Sequence, residues 1–339
     1  MQIKIVITGG AGFVGSQLAA KLVGLGGYEV VIIDNLADGH VDNLLNSRGL
    51  ICPLVVKDVR SGEIADDING ADVVIHLAGT SSLPQCQVDP ALAYDNNVTG
   101  LANVLEISRR ANVKRVIFSS TSAVYENNIK MPFSEMDHVN PNLIYASSKL
   151  AGEQLCKSFA ETYGLDVIVA RFFNIFGEHQ DIHRAMPPFI SYLAKEAYFG
   201  REPVLFNNSS SSRDYVYVDD VLECLMRMMG ARSKFKGDIF NVCTGIAYSV
   251  PQIVSLYSKI SNKKIIPLYK DANQFWDKFP ALFAADGLKL SSERIEAEVY
   301  KNSVGDIQKT YDFFGFKAST TLEAGLKKVY EFSLANLAK

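Results

Sequence analysis

The sequence has few features of a metal-binding, disulfide-linked or nucleic-acid-binding protein. Its five cysteines lie far apart and include no C-x-x-C pair, so we expect reduced thiols and no metal site. Basic and acidic residues number 34 and 37, and the formal net charge is −3. Because this balance leaves no extended basic surface, nucleic acid is not an expected partner.

Long apolar runs are also missing. The first apolar stretch, Ile3–Thr8, is followed directly by a glycine turn and is too short for a signal-peptide core or a membrane span. We therefore expect a cytoplasmic protein that does not associate with membranes. A chain of 339 residues is long for one hydrophobic core, so a larger nucleotide-binding domain with a smaller companion lobe is predicted.

Short β-branched runs alternate with helical patterns through the first half of the chain. Near-continuous apolar strands separated by helices are typical of a parallel sheet covered on both faces. We therefore predict an α/β fold, a Rossmann-type doubly wound parallel sheet with a smaller, interleaved C-terminal substrate lobe. The predicted strands are Ile3–Thr8, Glu29–Ile33, Leu54–Val56, Val73–Leu77, Arg115–Ser119 and Asp166–Arg171, and the predicted helices are Phe13–Gly24, Pro90–Ala111 and Ile144–Tyr163.

The regular alternation weakens after Arg171 and returns only in part. We predict that residues 1–173, with pieces from about 215–245, form the sheet domain, and that residues 174–214 and 246–339 form the substrate lobe. Segments such as Asn207–Ser212 and Lys270–Leu282 are predicted to be loops.

A glycine-rich segment follows the first predicted strand and opens the first predicted helix. Gly9, Gly12 and Gly15 permit a tight turn and the close approach of a pyrophosphate, which the free N–H groups of the helix start attract. Asp34 ends the second strand, where a carboxylate meets the ribose hydroxyls and repels a 2′-phosphate, so NAD is favoured over NADP. Asp58, at the end of the third strand, either contacts the adenine or is a turn residue.

A tyrosine and a lysine lie one helical turn apart in a predicted helix. Tyr145 is the one tyrosine of fifteen with a lysine, Lys149, four residues later, and the two share a helix face. A phenol with a pKa near ~10 needs roughly 4 kcal/mol of anion stabilisation to act as a base at neutral pH. An ammonium at ~4 Å and an effective dielectric of ~20 supplies about that much. The alternative is an ordinary surface pair.

A hydroxyl cluster at the end of the fifth predicted strand provides a third candidate. The segment Phe118–Tyr125 contains Thr121, whose hydroxyl can hydrogen-bond a reacting oxygen and help to move its proton. A Ser/Thr run at a strand end is also ordinary turn chemistry.

Together these motifs resemble the extended short-chain dehydrogenase/reductase family, in its NAD-dependent epimerase/dehydratase branch. Further matching segments are His76–Gly79, Asn97–Gly100, Arg171–Gly177 and Arg213–Asp220. The resemblance implies Thr121, Tyr145 and Lys149 as catalytic residues. It implies cofactor contacts at Gly9, Gly12, Phe13, Val14, Gly15, Asp34, Asn35, Asp58, Val59, Leu77, Ala78, Gly79, Asn97, Tyr145, Lys149 and Phe172, and substrate contacts at Ser81, Thr121, Asn174, Arg213 and Ser303.

Within this family, the resemblance favours a sugar-nucleotide 4-epimerase. Relatives that dehydrate a 4-keto sugar resemble Thr-Asp-Glu at the catalytic strand end, where this chain has Ser122 and Ala123 after Thr121. The expected reaction is oxidation at C4, rotation of the 4-keto sugar and hydride return, with a UDP-sugar as substrate. A 4-ketosugar reductase that consumes NAD(P)H is the alternative enzyme, and a non-catalytic NAD-sensing interaction protein is the alternative of another class.

The chain departs from the family pattern at several positions. Glu126 stands where glycine is usual, Phe172 where galactose epimerases usually have tyrosine, and Glu178 where proline is common. Ser303 occupies a position that is a bulky tyrosine in relatives confined to plain hexoses, so we predict that N-acetylated hexosamines are accepted. In the alternative, Ser303 caps the following helix.

Similar proteins often dimerise through the helices that match Pro90–Ala111 and Ile144–Tyr163. A homodimer is therefore the expected assembly.

Overall fold

Seven parallel strands form the central sheet of the computed structural model, which describes residues 2–182, 184–283 and 289–337. The strands are β1 Ile3–Thr8, β2 Tyr28–Asp34, β3 Leu45–Asn46, β4 Gly49–Leu50, β5 Leu54–Val56, β6 Val73–His76, β7 Arg115–Thr121, β8 Val167–Phe172, β9 Asn174–Phe176, β10 Val204–Leu205, β11 Ser212–Tyr217, β12 Lys236–Val242, β13 Ala247–Ser249 and β14 Leu268–Tyr269.

Helices connect the strands and cover the sheet. They are α1 Phe13–Leu25, α2 Ala65–Ile68, α3 Leu83–Val88, α4 Pro90–Tyr94, α5 Gly100–Arg110, α6 Ile144–Tyr163, α7 Phe189–Phe199, α8 Val218–Gly230, α9 Val250–Ser261, α10 Ser292–Val299, α11 Gln308–Phe314 and α12 Leu322–Leu337. A π-helical turn, Asp95–Thr99, joins α4 to α5, so the predicted helix Pro90–Ala111 is interrupted.

The strand order of the large sheet is β12-β8-β7-β6-β1-β2-β5. Every neighbouring pair in it is parallel, so the predicted Rossmann-type fold is confirmed. The order reverses at β1, whose two neighbours β2 and β6 lead the chain toward opposite edges of the sheet. In an open α/β sheet a ligand binds at such a switch point, beyond the carboxyl ends of the strands.

The alternation of side chains along β1 shows why the sheet is covered on both faces. Ile5 and Ile7 belong to the core cluster on one face, and Val6 belongs to the cluster on the other. All three are fully buried, and burial of each such side chain contributes about 1.5–3 kcal/mol. A strand buried on both faces is continuous in apolar residues, which is the pattern that the sequence shows.

Smaller sheets lie beside the large one. Strand β11 pairs in parallel with β9 and antiparallel with β13, and β12 joins the edge of the large sheet next to β8.

The segment Lys270–Leu282, predicted to be a loop, contains short 3₁₀ turns and the buried Trp276, which packs in a small apolar cluster. The division into two domains stays a prediction, and residues 183, 284–288 and 338–339 of the predicted lobe lie outside the described residues.

None of the described helices combines the length and the apolar character that a membrane crossing requires. Within the same described residues, no group of three or more His, Cys, Asp or Glu side chains is arranged to hold a metal ion.

Candidate active site

A large cavity opens at the carboxyl ends of β1, β2, β6 and β7, where the strand order reverses. Its volume is about 1340 Å³, which exceeds the roughly 300–1,000 Å³ of a pocket for one drug-sized ligand. The cavity therefore has room for more than one large ligand.

The glycine loop between β1 and α1 forms one wall of this cavity. Gly9 has a φ of +71°, and a Cβ there would lie 2.6 Å from the Ala78 backbone nitrogen. A Cβ on Gly15 would lie 2.6 Å from the Gly9 carbonyl oxygen, so neither position accepts a side chain. Helix α1 begins after Gly12 without a side-chain cap and without an acidic residue in its first turn. Its first N–H groups are thus suited to bind a pyrophosphate.

Asp34 ends β2 beside the glycine loop and is 7% exposed. Its Oδ2 accepts a hydrogen bond from Ala11 N (2.9 Å), and its Oδ1 accepts one from Leu36 N (2.8 Å). Each carboxylate oxygen has a second lone pair, so both can also accept from ribose hydroxyls. These contacts hold the carboxylate at the place that the sequence predicted, and they fit a dinucleotide without a 2′-phosphate.

Asp58 also lines the cavity, and its carboxylate is held in place by side chains. Arg60 donates to both of its oxygens, from Nε at 2.9 Å and from Nη2 at 2.7 Å, and Asn35 Nδ2 donates to Oδ2 at 3.1 Å. The Arg60 guanidinium keeps the pKa of Asp58 well below its usual range. Asp58 is therefore an anion on the cavity wall, whether or not it meets an adenine.

Thr121, Tyr145 and Lys149 line the same cavity as the glycine loop, although they lie far from that loop in the sequence. Thr121 is the last residue of β7, and its side chain interacts with the Tyr145 phenol. The Lys149 ammonium, 5% exposed, donates to the Ser119 carbonyl oxygen at 2.9 Å and lies 5.0 Å from the centre of the Phe118 ring. The strand end and the helix α6 thus bring a hydroxyl, a phenol and an ammonium together.

Burial governs the proton affinities of this group. It raises the pKa of Tyr145 to about 12, against the effect of the Thr121 hydrogen bond, and it lowers the pKa of Lys149 to about 8. The direction for Tyr145 is opposite to the one expected from its spacing to Lys149. The phenol is therefore neutral in the protein alone, and a bound ligand that carries positive charge would help Lys149 to stabilise its anion.

Asn97 does not line the cavity. It is buried at 1% exposure, and its Oδ1 accepts from Thr80 N (2.8 Å) while its Nδ2 donates to Thr80 O (3.0 Å) and to Ser148 Oγ (2.9 Å). Asn97 therefore connects the loop after β6 to Ser148 of helix α6, the residue before Lys149. Its predicted contact with the cofactor stays a prediction.

Ser303 does not line the cavity either. It is 2% exposed, and its backbone pairs with β11, donating to Ser212 O (2.9 Å) and accepting from Asp214 N (2.8 Å). The alternative that it caps the next helix is not met, because the cap position of α11 is Ile307. The capping interpretation of Ser303 is therefore wrong, and its predicted contact with the substrate stays a prediction.

Arg213 and Asn174 lie at the other end of the cavity, on the paired strands β11 and β9. Asn174 Nδ2 donates to the Asp214 carbonyl at 2.8 Å. The Arg213 guanidinium donates to the Glu298 carbonyl oxygen, and its Nη2 lies 3.6 Å from the Glu298 carboxylate. A cation and an amide at this end suit a diphosphate.

The cavity gathers almost all of the predicted residues. Those that line it are Gly9, Gly12, Phe13, Val14, Gly15, Asp34, Asn35, Asp58, Val59, Leu77, Ala78, Gly79, Ser81, Thr121, Tyr145, Lys149, Phe172, Asn174 and Arg213. Sequence reasoning missed Asn96, Phe206, Trp276 and Glu298, which also line it. Phe206 and Trp276 lie in segments that were not predicted as strands or helices, Asn96 lies within a predicted helix, and Glu298 belongs to α10, which was not predicted. The one signal was the single tryptophan of the chain.

The fold and the site define a dinucleotide-dependent enzyme with a tyrosine-lysine pair. The sequence profile of the NAD dependent epimerase/dehydratase family matches residues 5–243. The chain belongs to this family, and NAD is its cofactor. The uncapped start of α1, the two glycines without room for a Cβ and the fixed Asp34 carboxylate fit that group.

Individual relatives agree with this assignment. The chain is 32% identical over 259 residues to UDP-glucose 4-epimerase of Mycolicibacterium smegmatis, covering 74% of this chain and 80% of that one. Among solved structures it is similar to UDP-glucose 4-epimerase of Thermotoga maritima with UDP-glucose (TM-score 0.85, 29% identity, 99% and 100% coverage). It is also similar to UDP-N-acetylglucosamine 4-epimerase of Methanobrevibacter ruminantium with UDP-N-acetylmuramic acid (TM-score 0.85, 27% identity, 99% and 99% coverage).

Proposed function

We propose that the chain is an NAD-dependent sugar-nucleotide 4-epimerase. The observation that carries this proposal is that Thr121, Tyr145 and Lys149 line the same cavity as the glycine loop and Asp34. The names of the relatives support a UDP-hexose as the substrate. The name of the Methanobrevibacter relative supports an N-acetylated hexosamine as a second substrate class.

The proposed reaction assigns one role to each side chain. Tyr145 takes the proton of the C4 hydroxyl, with Thr121 hydrogen-bonded to the reacting oxygen, and it returns a proton after the 4-keto sugar has turned over. The glycine loop and Asp34 would hold NAD, which would supply the acceptor for the C4 hydride and the source of its return to the other face of the sugar. Lys149 stabilises the Tyr145 anion. Asn174 and Arg213 hold the diphosphate while the sugar rotates.

The side chains after Thr121 support epimerisation over dehydration. Ser122 and Ala123 offer no carboxyl group that could act as the additional acid and base of a water elimination. A cycle of oxidation and return consumes no cofactor, so the proposed enzyme keeps its NAD through many turnovers.

The purified protein, incubated with a panel of UDP-hexoses and UDP-N-acetylhexosamines, tests the proposal by NMR of the C4 isomers. We expect interconversion without added cofactor, and release of NAD after denaturation. Stoichiometric consumption of NADPH with a 4-keto sugar would establish the reductase instead. Bound NAD without turnover of any sugar would favour the sensing protein.

We further propose that the protein is a cytoplasmic homodimer and that each of its chains consists of the two predicted domains. Five buried free thiols support a reducing compartment. Large apolar side chains on and before α4 are exposed, namely Val88, Leu92 and Tyr94, and they lie next to α6. Sedimentation of the wild type and of Leu92→Glu tests the assembly, since the charge should shift a dimer toward monomers.

A further inference from the structure

The helix that carries Tyr145 begins without a cap of its own. The cap position of α6 is Leu143, whose side chain makes no capping hydrogen bond. Two side chains from other parts of the chain accept the free N–H groups instead. Glu126 Oε1 accepts from Asn142 N and, at 2.9 Å, from Leu143 N, while Gln87 Oε1 accepts from Ile144 N at 2.6 Å. A carboxylate is the stronger acceptor and also interacts favourably with the helix dipole.

The Glu126 carboxylate is buried and paired with a cation. Its side chain is 1% exposed, and Arg294 Nη2 lies 2.9 Å from its Oε2. A buried carboxylate without such a partner would be costly. Glu126 thus joins the start of α6 to Arg294, which belongs to α10.

Helix α10 connects this pair to the substrate end of the cavity. Arg294 and Glu298 lie four residues apart and share a helix face, and Glu298 contacts Arg213 on the cavity wall. On an adjacent side of α10, Ile295 packs in the same apolar cluster as Leu143. The start of the Tyr145 helix is therefore held against α10 by a buried ion pair and by apolar packing.

We propose that Glu126 is a positioning residue for Tyr145, which acts by capping α6 and by fixing its start to α10 through Arg294. This inference rests on the proposed epimerase function for its kinetic effect. Tyr145 comes only two residues after Leu143, so a shift of the capped segment moves the phenol relative to the reacting oxygen. A misplacement of about 1 Å can lower a rate about 100-fold.

Three variants of the full-length protein with its NAD test this role. Glu126→Ala removes the acceptor, Glu126→Gln keeps an acceptor oxygen but removes the charge, and Glu296→Gln changes an exposed glutamate of α10 as the matched control. We expect Glu126→Ala to lower kcat by about tenfold to 100-fold with KM within about threefold of wild type. Glu126→Gln should recover only part of the loss, because it keeps an acceptor oxygen but breaks the ion pair with Arg294, and Glu296→Gln should match wild type.

Amide hydrogen exchange of residues 142 and 143, whose N–H groups donate to Glu126, provides a readout that does not depend on turnover. The loss of these charge-assisted hydrogen bonds should speed exchange there about tenfold in Glu126→Ala, and the effect should be smaller in Glu126→Gln, which keeps an acceptor oxygen. A kcat of Glu126→Ala within twofold of wild type, a loss that appears only in KM, or unchanged exchange would overturn the proposal.

Two controls separate the possible failures. If wild-type protein turns over no sugar nucleotide, the proposed function fails, whereas the exchange result still decides whether Glu126 holds the start of α6. If Glu126→Ala does not fold, Arg294→Met takes its place, because it keeps the carboxylate and removes only its partner. We then expect at least a threefold fall in kcat at unchanged KM, and an unchanged kcat would refute the link to α10.

Discussion

Substitution of Lys149 by methionine should change how the stability of the protein depends on pH. Burial lowers the pKa of Lys149 from 10.5 to about 8. The folded chain therefore binds this proton more weakly than the unfolded chain, and the stability of the wild type rises as pH increases from about 8 toward 10.5. Lys149→Met removes the group. We expect the free energy of unfolding of wild type, relative to the variant, to rise by roughly 2 kcal/mol between about pH 7 and about pH 9.5.

Urea unfolding of cofactor-free protein across this pH range measures the effect. The variant also leaves the Ser119 carbonyl without the ammonium that donates to it, which costs about 1–3 kcal/mol. That cost does not depend on pH, so the slope isolates the proton. Lys157→Met, at an exposed site of the same helix, serves as the control. Parallel pH profiles for wild type and Lys149→Met would refute the reasoning that burial weakens proton binding at Lys149.

Further substitutions test the remaining roles. Tyr145→Phe should keep its fold and its bound NAD, but its turnover should fall by about 10²- to 10⁴-fold. NMR of the sugar isomers measures turnover, and the NAD released on denaturation is the control. Near wild-type activity would exclude Tyr145 as the acid and base. Asp34→Asn removes the charge that repels a 2′-phosphate, so the share of NADP bound from an equimolar mixture should increase, and an unchanged share would contradict that role. Ser303→Tyr should destabilise the protein by about 1–3 kcal/mol through overpacking and impair plain and N-acetylated substrates alike, in contrast to Ser303→Ala. A selective loss of N-acetylated substrates would instead support the predicted contact of Ser303 with the N-acetyl group.

The parts of the site that were predictable from sequence depend on local geometry. The glycine loop and Asp34 occupy fixed places after two consecutive parallel strands, and Tyr145 and Lys149 share a face through helical spacing alone. The carboxyl ends of the strands in a parallel sheet meet at the same edge, which places the glycine loop and Asp34 close together. The four-residue spacing places Tyr145 and Lys149 on one face of their helix. The six strands predicted in the first half of the chain are confirmed within one or two residues.

The residues that escaped prediction depend on contacts between distant segments. The position of Ser303 is determined by the pairing of its backbone with β11, about ninety positions earlier in the chain. Trp276 lies in a segment without helical or strand periodicity, and it is buried because Leu143 and Ile295 pack beside it. No pattern within either segment carries this information.

The π-helical turn before α5 shows how such contacts shape the site. An ordinary helix would turn consecutive residues by about 100° and direct neighbouring side chains apart. The turn Asp95–Thr99 inserts an additional residue, and both Asn96 and Asn97 then reach Thr80: Asn96 Nδ2 donates to Thr80 Oγ1 at 2.9 Å, and Asn97 binds the Thr80 backbone. Since Thr80 follows Gly79 on the cavity wall, the irregular turn fixes the loop beside the catalytic residues. The helical periodicity of Pro90–Ala111 predicts ordinary helix positions for both asparagines, although their hydrogen bonds to Thr80 hold the loop that lines the cavity beside Tyr145 and Lys149.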